Sequence, residues 1–590
     1  MTTASSPPVE RSWVEQWVPG IAAMRTYRRA WLSRDLIAGI VLVTLLVPQG
    51  MAYAELAGLP AITGLYTTVV CLVAFSLVGS SPVLILGPDS ALGPMIAATI
   101  LPLAGGNDEQ KIALAGMLAL LVGAITVAAA IVRLGFVADL LSSPVRTGYL
   151  AGLAITILIG QLPKLFGFST DASGLVNEAV AFIQGLDETN VWALAIGLIS
   201  LAIILVLRAV SPRTPGILVA VVFSLVVSVG LDLAARGVSV IGALPQGFPL
   251  PSIPSVPLED IPVLFAAAVG ITLVAIGDTI STSSAFATRG GYEVDTNQEL
   301  GGIGTANLAT GLFTGFPVTT SSSRTAVAFQ SGAKSQLTGI IAAGLVLLML
   351  VFLPGLVQAM PQPVLAAIVI AASVTLFDGA ELARLYRART AEFGLAMACL
   401  LGVAFVGVLQ GIVIAVVLSV MYIFKRVWAP YSAILGRVPG MPGWHDVERY
   451  PGATQVPGLL IVRWSAPLFF ANANQFRDRI RAVVREAPAP PRWVLIAAEP
   501  ISDIDITASE MLVDLDAELT SSGIVLAFAE VQSAVRDWIE RYEILDMSHG
   551  TRSFGSVKEA VEAFGREAAG GEPPTLDDTT GNRPASQPIS

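Results

Sequence analysis

The sequence predicts an α-helical polytopic membrane domain followed by a small α/β domain. Of its 590 residues, 54% are hydrophobic and only 13% are charged, against roughly 25% charged in an ordinary soluble domain. The charged residues are also unevenly placed, because residues 36–107 contain no Lys or Arg, whereas residues 442–570 read like a soluble domain. Long apolar runs fill the chain up to about residue 430. Two regions of one chain are therefore built for two different solvents.

Twelve apolar stretches are long enough to cross a bilayer, which takes about 20 mainly apolar residues per helix. Two further stretches, 81–103 and 314–333, are interrupted by Gly, Pro and hydroxyl residues, and this pattern predicts half-helices preceded by extended chain. The predicted total is therefore about fourteen segments. The uninterrupted stretches lie near residues 36–56, 61–79, 112–132, 145–162, 191–208, 216–234, 262–287, 296–313, 335–354, 362–377, 391–409 and 411–427.

The distribution of positive charge orients these segments. An even number of segments places both termini on one side of the membrane, and basic residues gather on the side of the N-terminus. The loop 167–190, on the other side, carries Asp171, Glu178, Asp187 and Glu188 without a Lys or Arg. Both termini are therefore expected in the cytoplasm, and the protein in the inner (cytoplasmic) membrane. The basic residues concerned are Arg25, Arg28, Arg29, Arg34, Arg133, Arg208, Arg213, Arg289, Arg384, Arg387, Arg389, Lys425 and Arg426.

The two interrupted segments predict the substrate site, because paired broken helices in corresponding places of two halves mark the midplane site of many transporters. The first is Gly79–Pro94, in which Pro88 is expected to occupy the first helical turn. The second is Gly315–Val327, with hydroxyls able to cap a helix start and Arg324 in the first turn. Two facing helix N-termini, each with roughly half a positive charge, suit an anion. Ordinary kinks packed between helices are the alternative interpretation.

Polar residues in the first segment indicate further contacts to such an anion. The run Pro48–Ala54 places a helix break and a neutral amide where the bilayer is deepest. Gln49 is expected to donate hydrogen bonds to the anion's oxygens, and Tyr53, one turn further on, to wall the pocket. An amide contact between helices for Gln49 and a plain core role for Tyr53 are the alternatives.

Two acidic residues lie inside apolar stretches, where an ionised group is expensive. Asp278 is the candidate for a coupling residue that binds a proton or a cation, and Thr282, one turn later, is expected to offer its hydroxyl to a sodium ion or to the acid. A structural ion pair or cap is the alternative for Asp278. Asp89 would repel an anion unless protonated or turned away, and it is interpreted as an N-terminal cap of the first half-helix.

Other classes of function have little support. The chain has no basic stripe of the kind that binds nucleic acid. His445 and His549 both lie beyond the apolar region, so the membrane part has neither a Ser-His-Asp arrangement nor a histidine-containing metal site. Cys71 and Cys399 fall in apolar segments without metal-binding spacing and are interpreted as packing residues. No enzyme activity, cofactor or ATP-binding loop is expected.

The C-terminal part alternates strand and helix patterns. Strand patterns at 459–464, 493–497 and 524–528 alternate with helix patterns near 472–486 and 508–521, and a further helix follows. The domain organisation predicted from these boundaries is a cytoplasmic N-terminal segment at 1–34, a transmembrane domain at 35–430, an α/β domain at 442–568 and a disordered tail at 569–590.

The membrane region resembles the sulfate permease (SulP) family of anion transporters. The resemblance is carried by Pro48–Pro60 (PQGMAYAELAGLP), Gly64–Tyr66 (GLY), Asn297–Leu300 (NQEL) and Pro317–Ala326 (PVTTSSSRTA). In the C-terminal domain, residues 467–474 (PLFFANAN) and 503–508 (DIDITA) resemble the STAS domain that follows the membrane part of these transporters.

The resemblance implies a fold and a site. The expected fold has fourteen segments in two inverted seven-segment repeats, arranged as a core and a gate domain that move past each other like an elevator. An acidic residue of the eighth segment, here Asp278, is expected to couple transport to protons or sodium. Thr507 matches a hydroxyl that is phosphorylated in related domains, although Ile506 departs from the usual pattern and a plain helix start is the alternative. The expected anion site lies between the third and tenth segments and comprises Gln49, Tyr53, Ser90, Ala91, Ser321, Ser323 and Arg324.

The function expected from the sequence is therefore secondary active transport of a small anion. Sulfate is the first candidate, with bicarbonate and dicarboxylates such as fumarate as others. The expected partners are that anion, a coupling proton or sodium ion, membrane lipid and a second copy of the chain. A channel-like protein or an uncoupled anion exchanger on the same scaffold is the alternative. A nucleobase transporter is disfavoured, because its substrate would not need Arg324.

Overall fold

The computed structural model describes residues 20, 27–135, 142–170, 172, 174–211, 214–242, 247–353, 355, 358–541 and 552–569. The predictions made for most of the N-terminal segment and for the tail beyond residue 569 lie outside these residues, as do those for Arg25, Asp171, Arg213 and His549. The chain divides into two compact units, Met1–Ser419 and Val420–Ser590.

The first unit is helical. Fourteen of the helices that begin in its described residues coincide with the fourteen predicted segments, and two short ones, α6 and α14, are additional. The helices are α1 Leu32–Leu56, α2 Ala61–Val78, α3 Gly93–Ala104, α4 Asp108–Ile131, α5 Ser143–Phe166, α6 Leu175–Gln184, α7 Val191–Val210, α8 Gly216–Gly230, α9 Ile261–Gly290, α10 Thr296–Leu312, α11 Ser322–Gln330, α12 Leu337–Phe352, α13 Gln362–Leu376, α14 Gly379–Ala388, α15 Thr390–Leu401 and α16 Val408–Trp428.

Helix length separates two kinds of segment in this unit. Among the described residues, seven helical segments are long and apolar enough to cross a membrane by length and composition, and five apolar helices are shorter. Those five include the half-helix α3, whereas α10, with 17 residues, belongs to neither group. The two additional helices are short and amphipathic: α6 lies within the loop 167–190, and α14 carries Arg384 and Arg387.

The helices pack in two groups. In one group, α4 packs against α9 and α10, and α2 packs against α1, α10 and α12; in the other, α5 packs against α13 and α15, and α7 against α8 and α13. Small residues allow the closest approaches. For example, a methyl group added at Gly123 of α4 would lie 2.8 Å from the carbonyl oxygen of Gly304 in α10.

Buried carboxylates fix the ends of several elements. Asp35 of α1 is fully buried. It accepts hydrogen bonds from the backbone amides of Lys334 and Ser335 at 2.7 and 3.2 Å and from the hydroxyl of Thr338 at 3.1 Å. The carboxylate thus satisfies backbone donors just before α12 that apolar side chains would leave unpaired. The two cysteines of the described chain, Cys71 and Cys399, are both buried in apolar packing.

The second unit contains an α/β domain built on one six-stranded sheet. Its strands are β3 Ser432–Gly436, β4 His445–Asp446, β5 Leu459–Trp464, β6 Trp493–Ala497, β7 Val525–Ala529 and β8 Arg552–Phe554. Their order is β4-β3-β5-β6-β7-β8, parallel from β5 onward and antiparallel at β3 and β4. The accompanying helices are α17 Ala473–Glu486, α18 Ile506–Ser521, α19 Ser533–Arg541 and α20 Val557–Ala568.

This sheet explains both the accuracy and the gaps of the sequence prediction. Strands β5, β6 and β7 and the helices after them were predicted, because buried parallel strands are continuous apolar runs. Strands β3, β4 and β8 were not predicted, since β4 and β8 have only two and three residues and β3 is not a continuous buried run. Separate apolar clusters cover the two faces of the sheet, and Trp493 is fully buried in one of them.

Candidate functional site

Two extended segments cross in the interior of the helical unit. Strand β1, Leu86–Gly87, pairs antiparallel with β2, Thr319–Thr320, so that Gly87 lies opposite Thr319. Helix α3 follows the first strand and α11 follows the second. Ser321 extends the pairing by donating its backbone N–H to Ile85 O at 3.1 Å. The two predicted interrupted segments therefore meet, and α11 begins beside the strand of the first segment.

The starts of the half-helices correct part of the sequence interpretation. Pro88 does not lie in a first helical turn, because α3 begins at Gly93 and Pro94 occupies the first-turn position. Asp89 is likewise not the residue that caps α3, since Leu92 holds that place. Its carboxylate instead accepts the N–H of Ala91 at 3.0 Å, which closes a turn ahead of the helix. Arg324 does lie in the first turn of α11, as predicted.

Arg324 is the most unusual side chain at the crossing. It is 0% exposed, and none of its three guanidinium nitrogens has a hydrogen-bond partner among the described residues. The nearest carboxylate is Asp89, whose Oδ2 lies 3.9 Å from Nη2. A guanidinium remains charged in proteins and has five N–H donors in a fixed fork. The interior of the protein therefore holds a positive charge whose donors are unused.

Gly87 makes room for this guanidinium. A methyl group built on Gly87 would lie 3.0 Å from Nη1 and 3.2 Å from Cζ of Arg324. These distances are shorter than ordinary van der Waals contacts, so a larger residue in place of Gly87 would displace the guanidinium. The sequence identified Gly87 as a helix breaker, whereas its position beside Arg324 depends on the strand crossing.

A buried asparagine binds the backbone of the residue that precedes β2. Asn307 of α10 accepts the N–H of Val318 at 2.8 Å through its side-chain oxygen. Its amide nitrogen donates to Val318 O and to Ile303 O, each at 3.0 Å. On the opposite side, the Thr325 hydroxyl accepts the N–H of Ile85 at 3.1 Å. Asn307 was not among the residues predicted from the sequence, although a buried amide in a membrane helix is a signal for such a contact.

The other residues predicted to bind the anion come from the same region. Ser321 and Ser323 lie at the start of α11, where their hydroxyl oxygens are 3.1 Å apart. Ser90 and Ala91 are buried in the turn before α3. Gln49 and Tyr53 are buried on α1, and Tyr53 interacts electrostatically with both Asp89 and Arg324.

Three exposed hydroxyls lie beside the site. Ser322 and Ser323 at the start of α11 are exposed, and so is Ser281 of α9. The α9 helix ends at Gly290, next to Arg289, one of the basic residues used to orient the chain. Ser281 therefore lies nearer to the end of α9 that is expected on the cytoplasmic side.

The candidate coupling residues lie on α9, beside the crossing. Asp278 is partly buried and interacts electrostatically with Asp89 and with Arg146 of α5. A methyl group added at Gly277 would meet nothing within 4 Å, so the helix borders open space there. Thr282 does not pair with the acid, because its hydroxyl hydrogen-bonds the hydroxyl of Ser322 at 2.7 Å.

Helix α5 supplies two polar side chains that the sequence analysis missed. Arg146 donates to the hydroxyl of Ser281 in α9 at 3.1 Å. Tyr149 donates to Ala91 O at 3.3 Å, within the turn that precedes α3. Both contacts join the two groups of helices beside the crossing. The position of Arg146 at an apolar stretch was a signal in the sequence that could have identified it as a functional candidate.

A cavity in the helical unit lies away from these residues. It has a volume of about 640 Å³ and is lined by Glu55 and Lys164 among others. None of the predicted site residues lines it. Lys164 lies in the last turn of α5, next to the acidic loop 167–190. The cavity therefore lies toward the predicted outer side.

In the α/β domain, Thr507 is exposed at the second position of α18. The helix is capped by Asp505, which accepts the N–H of Ala508 at 2.8 Å. The other oxygen of Asp505 accepts the N–H of Phe470, also at 2.8 Å. The cap is therefore supplied by Asp505, and the Thr507 hydroxyl is accessible from solvent.

Comparison with known proteins identifies both parts of the chain. The model of the sulfate permease family matches residues 32–399, and that of the STAS domain matches residues 450–560. A probable sulfate transporter of Mycobacterium tuberculosis is 40% identical over 550 residues, covering 93% of this chain and 98% of that protein. The chloroplastic sulfate transporter 4.1 of Arabidopsis thaliana is 32% identical over 574 residues, covering 93% of this chain and 83% of the plant protein.

Solved structures show the same fold. The murine anion transporter Slc26a9 in an inward-facing state matches with a TM-score of 0.84 at 22% identity, over 95% of this chain and 96% of that one. The transmembrane domain of the cyanobacterial bicarbonate transporter BicA matches with a TM-score of 0.58 at 22% identity, over 67% of this chain and 98% of that one. The predicted fold class is confirmed: fourteen segments in two inverted repeats and a C-terminal STAS domain.

The family comprises multi-pass membrane transporters rather than enzymes. Its model covers most of the helical unit, including both half-helices and the crossing that holds Arg324. The chain therefore belongs to the sulfate permease family and carries a STAS domain after its membrane part.

Proposed function

We propose that this chain is a secondary active transporter of small anions, with sulfate as the first candidate substrate. The observation that carries the proposal is Arg324, fully buried at the start of a half-helix with its guanidinium donors unused. A compact oxyanion is the ligand that such donors recognise best. The relatives named above are sulfate transporters, which favours sulfate; the bicarbonate transporter among the structural neighbours keeps bicarbonate as a candidate, and dicarboxylates such as fumarate have the same anionic chemistry.

The proposed binding mode combines charge with neutral donors. Arg324 would hold two oxygens of the anion through its planar fork, and the free N–H groups at the start of α11 would add the positive end of the helix dipole. The hydroxyls of Ser321 and Ser323 face the same start, and Ser90, Ala91, Gln49 and Tyr53 would complete the pocket. Hydroxyls and helix ends accept any compact anion, so the pocket's size, rather than its charge, would select among substrates.

We propose that Asp278 couples anion movement to a proton or a sodium ion. Its partly buried position on α9 beside open space supports this role, since a carboxylate at this depth requires a counter-ion or a proton. Thr282 would act indirectly, because its hydroxyl joins α9 to Ser322 at the start of α11. This bond links the helix that carries Asp278 to the start of the half-helix that carries Arg324.

The transport cycle we propose is an elevator-type movement between the two groups of helices. Two contacts, Arg146 to Ser281 and Tyr149 to Ala91, join the groups beside the anion site and would have to break as one group slides past the other. The protein would reside in the cytoplasmic membrane with both termini in the cytoplasm, contacting lipid and a second copy of the chain. Thr507 is proposed as a regulatory position, since its hydroxyl is exposed at a helix start.

The test is uptake into proteoliposomes that contain the purified full-length chain. Labelled sulfate, bicarbonate and fumarate are supplied separately, each with and without imposed proton and sodium gradients. We expect one anion to accumulate, and its uptake to rise with one of the two gradients. The variant Arg324→Ala, compared with an exposed control such as Arg384→Ala, is expected to lose anion uptake, since it removes the positive charge of the proposed pocket.

Other outcomes separate the alternatives. Large unitary currents without dependence on either gradient would identify a channel-like protein. Uptake that requires an anion inside the vesicle, with no effect of either gradient, would identify an uncoupled exchanger. No uptake of any of the three anions by folded protein would contradict the proposal.

A further inference from the structure

Asp89 and Arg324 face each other at the anion site without forming a hydrogen-bonded pair. Their closest atoms are 3.9 Å apart, and the two side chains are 17% and 0% exposed. One carboxylate oxygen of Asp89 is already used by the N–H of Ala91, which leaves the oxygen nearer to Arg324 free. A bound anion and Asp89 would therefore compete for the same guanidinium.

Charged and titratable side chains approach Asp89 from four helices. Arg324 approaches from α11, Tyr53 from α1, Tyr149 from α5 and Asp278 from α9, each close enough to interact electrostatically with Asp89. Arg146 of α5 stands beyond Asp278 and interacts with it. Arg324 is therefore the one cation among these groups that faces Asp89 directly.

The charge of Asp89 decides what an arriving anion meets. While Asp89 is ionised, its charge cancels that of Arg324, and the anion would also lie close to a carboxylate. When Asp89 takes one proton from water onto its free oxygen, the pair carries a net charge of one positive unit. Because the site is largely shielded from solvent, this difference is not screened as it would be at the protein surface.

We propose that Asp89 is an internal counter-anion that neutralises Arg324 in the empty carrier, and that it must take up a proton for the anion to bind. The inference rests on the proposed anion-transport function and deepens it, because it places a proton in the anion site itself. Asp89 acts by setting the net charge beside Arg324, whereas Asp278 is not part of the pair formed by Asp89 and Arg324.

The variant Asp89→Asn separates this role from that of a turn cap. An asparagine side-chain oxygen can still accept the N–H of Ala91, so the turn before α3 is retained while the charge is removed. The matched variant Asp278→Asn removes the neighbouring carboxylate and leaves the Asp89 and Arg324 pair intact. Melting temperatures of both variants, measured in the same detergent, establish that they remain folded.

The experiment is equilibrium binding of labelled sulfate to the purified full-length chain across a range of pH, repeated with fumarate. Sulfate keeps its charge over this range, so any change in affinity comes from the protein. We expect the affinity of the unaltered protein to fall about tenfold per unit of pH once Asp89 is ionised. The Asp89→Asn variant should keep high affinity at every pH, while Asp278→Asn should retain the fall.

Calorimetry in buffers of different ionisation enthalpy counts the protons. At alkaline pH, one proton should be taken up with each sulfate by the unaltered protein and none by Asp89→Asn. A fall in affinity and a proton uptake that persist in Asp89→Asn would overturn the proposal, and their loss in Asp278→Asn alone would transfer the role to Asp278. Either of these results leaves anion binding established. Absence of binding at every pH by the unaltered protein would instead contradict the proposed function, and this inference with it.

Discussion

At the scale of single residues, the site depends on one arginine and on the space left for it. Arg324 is the largest polar side chain among the fully buried ones, and burying an unpaired guanidinium is expensive unless a ligand satisfies it. Gly87 opposes it on β1, with no side chain to displace the guanidinium. The charge and the gap beside it are therefore two parts of one binding feature.

The variant Gly87→Ala tests that gap. The added methyl group would lie 3.0 Å from Nη1 of Arg324 and would push the guanidinium from its position. We expect roughly tenfold or greater loss of sulfate affinity, since overpacking of a fixed interior costs about 1–3 kcal/mol. The measurement is equilibrium binding of labelled sulfate.

The matched control is Gly344→Ala in α12, where an added methyl group would meet nothing within 4 Å. It should bind sulfate as the unaltered protein does. Equal affinities in the two variants would show that Gly87 does not make room for Arg324.

At the scale of elements, two interrupted segments allow helices to begin in the interior of the membrane domain, which continuous helices do not. Extended strands inside a membrane domain expose backbone groups that lipid cannot satisfy, so they persist only where other protein groups pair with them. β1 and β2 pair with each other, Asn307 pairs with Val318, and Thr325 pairs with Ile85. The half-helices can therefore begin in the interior.

The variant Asn307→Leu tests this bracing. It keeps an apolar side chain of similar size but leaves the N–H and carbonyl of Val318 without their partner. Each buried group left unpaired costs about 1–3 kcal/mol, so we expect a melting temperature lower by several degrees. Sulfate affinity should also fall, because β2 leads directly into the start of α11.

The control for this prediction is Asn107→Ala. Asn107 also binds backbone amides, but it caps α4 far along the chain from the crossing. It should lower the melting temperature modestly, by the loss of about 1 kcal/mol typical of such caps, and leave sulfate affinity unchanged. An Asn307→Leu protein with normal affinity would contradict the bracing role.

At the scale of the whole molecule, transport requires that the ion site and the anion site act together. Asp278 and the crossing belong to neighbouring elements, and the Thr282 hydroxyl connects α9 to Ser322 at the start of α11. Among the described residues, however, Asp278 makes no hydrogen bond or ion pair with Arg324. We therefore expect that ion coupling and anion binding can be altered separately.

The variant Asp278→Asn is expected to abolish gradient-driven uptake while sulfate binding persists. An amide cannot take up a proton or neutralise a cation, whereas the guanidinium site is unaltered. Uptake and binding are measured on the same preparation. The exposed Asp108, paired with Lys111 on α4, provides the control Asp108→Asn, which should keep gradient-driven uptake. Gradient-dependent uptake in Asp278→Asn would remove Asp278 from the coupling role.

The α/β domain has the core it needs to fold without the membrane part. Both faces of its sheet are covered by apolar clusters drawn from its own residues, and Trp493 is fully buried between Phe554 and Phe564. We expect residues 430–569, produced alone, to be soluble and to unfold in one cooperative transition with a large change in tryptophan fluorescence. An aggregated or already unfolded product would contradict this expectation.

The sequence by itself determined the fold class, the positions of the two interrupted segments and most of the candidate site. Apolar length and the placement of Gly, Pro and Arg are local properties, and they identify membrane helices and their breaks directly. The family motifs around Gln49 and Arg324 added the site, and the structure brings these residues to one region.

Only the tertiary structure decided where α3 begins, that Gly87 admits the guanidinium and that Asn307 braces β2. It also showed that Thr282 bonds Ser322 rather than Asp278, and it revealed the short strands β3, β4 and β8. Each of these depends on which distant segments meet. The sequence shows a buried charge and a broken helix, but the partner that satisfies each of them comes from elsewhere in the chain, and packing alone selects it.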